Sequence, residues 1–262
     1  MASDMFYFGA HRGALQGLPA DPAALALWVQ GLLLHDVTAG LLYPDEAARL
    51  AAASRATLPV SVRLDRLLTL HRGDLCAPRA PRQRDIGTCR DFALLFCAAL
   101  RLKGFDAQVR CGFARYFHPP GFEDHWICLY RPHETARWRI ADPQLDAAHL
   151  AHYEIKMDPR DIPADQFLFA ADAWRAVRDG TQDAAHFGHG DARGLWFMAV
   201  NVMRDALAQE DRITSDWDAW RAADPARLTL AAARQTDRVA DGPAAPPAPF
   251  WHPPLGADGA MP

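Results

Sequence analysis

A chain of 262 residues, half of them hydrophobic, can bury a substantial core, and a formal net charge of −4 supplies no electrostatic footprint for nucleic acid. The apolar run from Leu25 to Leu34 is broken by Gln30 and closed by His35-Asp36, short of the ~18 uninterrupted residues of a membrane helix, so no membrane association is expected. Met1 to Met5 lacks the charged and apolar blocks of a secretory signal, and the five cysteines form no C-x-x-C pair, which points to a cytoplasmic protein with reduced thiols.

Taken in chain order, Asp21-Pro22 carries a helix-start signal and opens an apolar segment to Leu34, and Pro44-Asp45-Glu46 opens another through Ala53. Val60 to His71, with Val60, Leu64, Leu67 and Leu68 at helical spacing, predicts a third helix. The Pro- and Arg-rich stretch Ala77 to Asp85 reads as a loop. Its basic cluster of Arg79, Arg82 and Arg84 is expected to be solvated, with the border of an anionic-substrate site as the other reading. From Cys89 to Lys103 an apolar helix is predicted, covered on most faces and ended by Gly104. Asp106 to Phe117 predicts a strand with Val109, Cys111 and Phe113 on one face, and His118-Pro119-Pro120-Gly121 the turn that breaks it. This strand is expected to pair with the next, which contains His125. Further on, Pro163 reads as the first turn of a helix ended by Gly180, and another helix spans about Arg193 to Gln209. From Asp241 onward seven prolines with little to bury predict an irregular tail.

Chemistry concentrates in the middle of the chain. Thr88 and Asp91 fit the N-cap and third-position acid of a capping box, so the central helix should begin at Cys89, at the positive end of the helix dipole, where a thiolate nucleophile is favoured. His125 to Tyr130 and Arg137 to Asp142 read as two strands joined by the turn Pro132-His133-Glu134-Thr135. Pairing them about that turn sets Leu129 against Trp138, Ile127 against Ile140, and His125 against Asp142, with opposed Cβ atoms ~4.5–5.5 Å apart. A carboxylate at that reach can hold one imidazole nitrogen and leave the other for a thiol. A register slip of one residue would undo this.

Each residue also has a plainer role: a core cysteine, a strand histidine, an aspartate that forms a turn before Pro143. Chain order, helix start, strand faces and register would all have to agree by accident for those roles to suffice. Cys97, in mid-helix, and Cys128, facing away from His125, read as packing residues. Glu123 and Asp124 could act on the charge of His125, although carboxylates at a strand start are usually solvated. Tyr116, Trp126 and Trp138 are candidates for the site wall, with core packing as the alternative. His149 and His152, and His186 and His189, have spacings open to a metal, but no carboxylate or cysteine completes a set, so no metal and no other cofactor is expected.

The helix-opening cysteine, the apolar helix ending at Gly104, the strand, the His-Trp pair on the next strand and the Asp-Pro closing the following one resemble the core of the transglutaminase-like superfamily, over roughly residues 70 to 146. Pro163 to Gly180 and Gly194 to Asp205 are similar to the C-terminal part of its bacterial stand-alone members. The resemblance implies an α+β, papain-like core, with a central nucleophile helix packed on an antiparallel sheet and additional helices around it. It also implies Cys89 as nucleophile, His125 as base and Asp142 as orienter. Members include cross-linking transglutaminases, peptidases, amidases and amide-forming enzymes. The chain lacks the flanking β-sandwich and barrel domains and any evident calcium loop of the animal transglutaminases, which speaks against protein cross-linking.

The expected organisation is a helical segment over residues 1–70, a catalytic core over 71–160, a helical extension of the same domain over 161–240 and the tail over 241–262. The expected activity is acyl transfer through a Cys89 thioester, on a peptide or a small amide. The oxyanion would be held by the Cys89 backbone N–H and a donor from the preceding loop, for which Gln83 is the candidate. Water and a small amine both remain open as acceptors. The reading from another class is a non-catalytic binding domain that keeps the fold. Such a domain would normally have lost a member of the triad, and none is missing.

Overall fold

The computed structural model describes residues 5–133, 137–213, 228 and 230–242. They form an α+β protein with helices α1 (Pro22–Gln30), α2 (Ala39–Leu42), α3 (Ala47–Ala51), α4 (Val60–Leu70), α5 (Cys89–Leu102), α6 (Ala147–His152), α7 (Ala170–Arg178), α8 (Leu195–Gln209) and α9 (Leu230–Asp241). The strands are β1 (Leu33–His35), β2 (Asp85–Gly87), β3 (Asp106–Ala114), β4 (Phe122–Arg131), β5 (Arg139–Ala141), β6 (Phe167–Phe169), β7 (Phe187–His189) and β8 (Ala192–Arg193). The described residues fall into two compact units, one within Met1–Val109 and Ile127–Ile162, the other within Arg110–Trp126 and Pro163–Pro262. The division passes through β3 and β4, so each of these strands belongs partly to both units.

In the first unit the start signals act as the sequence leads one to expect. Asp21 caps α1 by accepting the Ala24 N–H at 2.9 Å, and Pro22 occupies the first turn. The apolar run does not stay helical to Leu34, however. The helix stops at Gln30, and Leu33–His35 pairs in parallel with Asp85–Gly87, a strand that begins at the last residue of the stretch expected to be loop. A short apolar run suits a buried strand as well as a helix, and periodicity cannot separate the two. Helix α4 turns Val60, Leu64 and Leu67 inward. Helix α5 is buried at every position from Cys89 to Leu100, and Gly104, at φ +87°, supplies the left-handed residue that closes it.

Strands β4 and β5 form an antiparallel pair, but not in the expected register. Leu129 stands opposite Ile140, and Cys128 opposite Ala141, a displacement of two residues. The connection is therefore longer than the expected four-residue turn, of which Glu134 and Thr135 lie outside the described residues. Since side chains alternate with a period of two, the displacement keeps the faces while removing His125 and Asp142 as direct cross-strand partners.

The second unit carries a sheet path in the order β6-β3-β4-β7-β8, and β4 is flanked by β3 as expected. The sheet is mixed rather than antiparallel. Strands β3 and β6, and β7 and β8, are antiparallel, whereas β7 returns through helices and lies parallel to β4. Pro163 is not at a helix start. Its carbonyl accepts the Gln166 N–H at 2.9 Å in a turn that leads into β6, and α7 begins only at Ala170. Gly112 makes room for β6: a Cβ there would lie 2.2 Å from the Leu168 carbonyl oxygen. Helices α7, α8 and α9 enclose a core of Phe113, Trp174, Phe187, Phe197 and Met203, and the Trp174 indole N–H donates to Asp237 at 2.8 Å. Asp241 ends α9, and the expected irregular tail lies from position 243 onward outside the described residues.

Candidate active site

Cys89 is the first residue of α5 and is 8 % exposed. Thr88, the N-cap, has extended backbone, and Asp91 folds back so that Oδ2 accepts the Thr88 N–H at 2.8 Å and its hydroxyl at 3.2 Å. Beside Cys89, Arg90 is fully buried and donates from Nε to Thr57 Oγ1 at 2.6 Å. The other thiols sit in different surroundings. Cys97, Cys111 and Cys128 are completely buried, and burial followed by the adjoining Cys97 pushes the Cys128 thiol up, as suits inert packing residues. Cys76 donates to the Ala14 carbonyl at 3.3 Å, and burial together with Asp74 raises its thiol as well.

His125 is buried on β4. The rings of Tyr116 and Phe117 meet it edge-on, with centroids at 6.1 and 5.0 Å and interplanar angles of 87° and 72°. Tyr116 was visible from sequence as a wall residue. Phe117 was not, because the sequence places it only as the last residue of a strand predicted over Asp106 to Phe117, whereas β3 stops at Ala114 and leaves both rings beyond its end. Trp126, adjacent on the strand, projects from the opposite face and is fully buried, with the Arg204 guanidinium 5.3 Å from its ring, so it packs rather than walls the imidazole. Trp138 joins neither wall nor core: it is 41 % exposed, with the Arg131 guanidinium over its ring.

The two carboxylates before His125 are paired, not solvated. Asp124 is buried and accepts from Asn201 Nδ2 at 2.8 Å, with Arg204 Nη1 at 3.5 Å, both on α8. Glu123 pairs with His189 on β7. Asn201 and Arg204 are the supporting residues that sequence reasoning missed. Their signal, shared with Asp205, is a set of polar residues inside a mostly apolar helix, since buried polar groups need partners.

Asp142 directly follows β5 and is 2 % exposed. Its N–H donates to the Pro159 carbonyl at 2.7 Å, and its Oδ1 accepts the Gln144 N–H at 3.0 Å, an Asx turn before Pro143. Gln30, the polar residue that interrupts the first apolar run, clamps this segment by donating to the Pro143 and Leu145 carbonyls at 3.1 and 3.2 Å. Asp142 also lines an open cavity of about 320 Å³ whose other walls are mostly apolar, among them Ala26, Leu27, Phe96 and Leu150.

The structure does not favour Gln83 as an oxyanion donor. Its Oε1 accepts the Ala80 N–H at 3.2 Å and its Nε2 lies 3.3 Å from His71 Nδ1, so the side chain is occupied by its own turn and the end of α4. In the neighbouring arginine cluster Arg82 is exposed as expected and Arg84 half-buried, but Arg79 is not solvated. Arg79 is buried and donates from Nη1 to the Leu67 and His71 carbonyls at 2.6 and 3.1 Å, where a cation offsets the negative end of α4. Of the paired histidines, His149 lies between Thr38 Oγ1 and Asp146 Oδ1, each at 2.7 Å, and His152 is exposed. Among the described residues no group of three or more metal-binding side chains assembles.

Comparison with protein-family models, with curated proteins and with solved structures finds no match for the chain.

Proposed function

We propose that the protein is a thiol-dependent acyl-transfer enzyme of the transglutaminase-like kind, acting on an amide or peptide carbonyl. The observation that carries the reading is the place of Cys89: of five cysteines, it is the one at the first position of a capped helix, where backbone N–H groups lack intrahelical acceptors and point outward. The buried His125, framed by two aromatic edges, and the turn-locked Asp142 support it, because a base and its orienter need restrained side chains.

In this mechanism His125 takes the Cys89 proton, and the sulfur forms a bond to the carbonyl carbon. The resulting oxyanion is stabilised by N–H groups at the start of α5. Collapse breaks the carbon–nitrogen bond, and the imidazolium returns its proton to the leaving amine. The thioester then passes its acyl group to water or to a small primary amine, which yields its proton through His125 and restores the thiol. Asp142 holds the imidazole in the tautomer that faces the thiol. No step calls for a cofactor.

The test is intact-protein mass spectrometry after exposure to activated acyl esters and to cell extract. An acyl adduct mapped to Cys89 and discharged by an added amine or by water is the expected result. Turnover of a genuine amide substrate at the same rate by Cys89→Ala overturns the proposal.

A further inference from the structure

The base of α5 is held by a buried ionic network that a simple helix cap does not require. Arg63, on α4, is 3 % exposed and donates from Nη2 to Asp91 Oδ1 at 2.6 Å, from Nη1 to Asp85 Oδ2 at 2.5 Å, and from Nη1 to the Ile86 carbonyl at 2.7 Å. Arg66 adds a bond to Asp85 Oδ1 at 3.1 Å. The guanidinium thus holds one oxygen of Asp91 while the other receives the Thr88 N–H and hydroxyl. Gly87 completes the fit, because a Cβ there would lie 2.8 Å from the Asp91 Cβ and 3.1 Å from Oδ2. Both carboxylates are buried, so each needs a partner. A forked donor that reaches two acids and a carbonyl at once is what arginine supplies and lysine cannot.

We infer that Arg63 is a positioning residue for Cys89: by fixing the Asp91 carboxylate it fixes the residue at which α5 begins, and so the place of the thiol and the direction of the first-turn N–H groups. Three elements converge on that point: α4 brings the guanidinium, β2 brings Asp85 and the close-packed Gly87, and α5 brings Asp91. Freed from Arg63, Asp91 can rotate away from Thr88. The first turn then loses its cap, and the thiol loses its fixed place. The inference rests on the reading of Cys89 as the nucleophile.

The experiment uses the full chain with Arg63→Lys, which keeps the charge but not the fork, and Gly87→Ala, which crowds Asp91 with one methyl group. Cooperative thermal unfolding identifies the folded variants. Two quantities are then read: the rate of iodoacetamide labelling at Cys89 relative to Cys76 in the same molecule, by peptide mapping, and the amide exchange rate of Thr88. In a folded variant the labelling ratio is expected to fall roughly tenfold or more, with Cys97 and Cys111 still protected and Thr88 exchange correspondingly faster. A purely structural role would loosen the protein and speed labelling of the buried cysteines instead. A labelling ratio unchanged in either folded variant overturns the inference. Should the wild-type Cys89 label no faster than Cys76, the nucleophile reading falls separately. Thr88 exchange then decides for Arg63: faster in Arg63→Lys supports its hold on the helix start, and unchanged overturns it.

Discussion

Asn201 donates from Nδ2 to Asp124 Oδ1 at 2.8 Å, and so joins α8 to the strand residue that immediately precedes His125. The same Asn201 accepts from Arg204 Nη1 at 2.7 Å through its Oδ1, so one carboxamide links a buried acid and a buried guanidinium. Removal of the acid takes a carboxylate from beside the buried cation. Asp124→Ala is therefore expected to cost about 3–5 kcal/mol in urea denaturation, and Asp124→Asn less, because it keeps a hydrogen-bond acceptor. A loss under about 1 kcal/mol for Asp124→Ala would show that Arg204 is satisfied without it.

Substitution within the proposed triad should separate roles rather than stability. Cys89→Ala is expected to leave the fold intact and abolish acyl-enzyme formation, and His125→Ala to fall near it. Asp142→Asn should slow the reaction greatly yet less than loss of the nucleophile, because the imidazole loses its charge partner and favoured tautomer. Single-turnover rates with an activated ester rank the three. An order with Asp142→Asn as the most damaged would contradict the assignment.

Asp146 provides a pH test. Burial alone would raise its carboxyl, but bonds from the His149 ring and backbone, and from the Tyr43 hydroxyl, outweigh that and hold it below the ordinary 3.8. A carboxylate with a depressed folded value stabilises the protein above its unfolded value and loses that contribution as pH falls through the folded one. Wild type should lose stability below about pH 4 more steeply than Asp146→Asn. Parallel stability curves for the two would refute this.

Gly112→Ala tests the approach of β6. The added methyl meets the Leu168 carbonyl at 2.2 Å, a backbone atom that can yield only if the strand moves. A loss of about 1–3 kcal/mol or more is expected, with accelerated amide exchange in Phe167–Phe169. Wild-type stability would mean that β6 is held elsewhere.

What the sequence determined by itself is local. Asp21-Pro22, Thr88 with Asp91, Gly104 and Gly180 set helix ends through bonds and backbone angles made within a few residues, so they could be read in order along the chain. The buried face of Val109, Cys111 and Phe113 could be read likewise, because strand alternation needs no knowledge of the partner. Only the tertiary structure decided the pairings. Leu33 to His35 became strand because β2 lay beside it, and Asp124 became buried because α8 brought Asn201 and Arg204. The β4–β5 register moved by two residues, as alternation permits, since hydrophobic patterning distinguishes odd from even displacements but not one even displacement from another. Arg63 shows the same limit: nothing within a few residues of it reveals the acids at Asp85 and Asp91, because a buried ion pair is specified by the meeting of elements far apart in the chain.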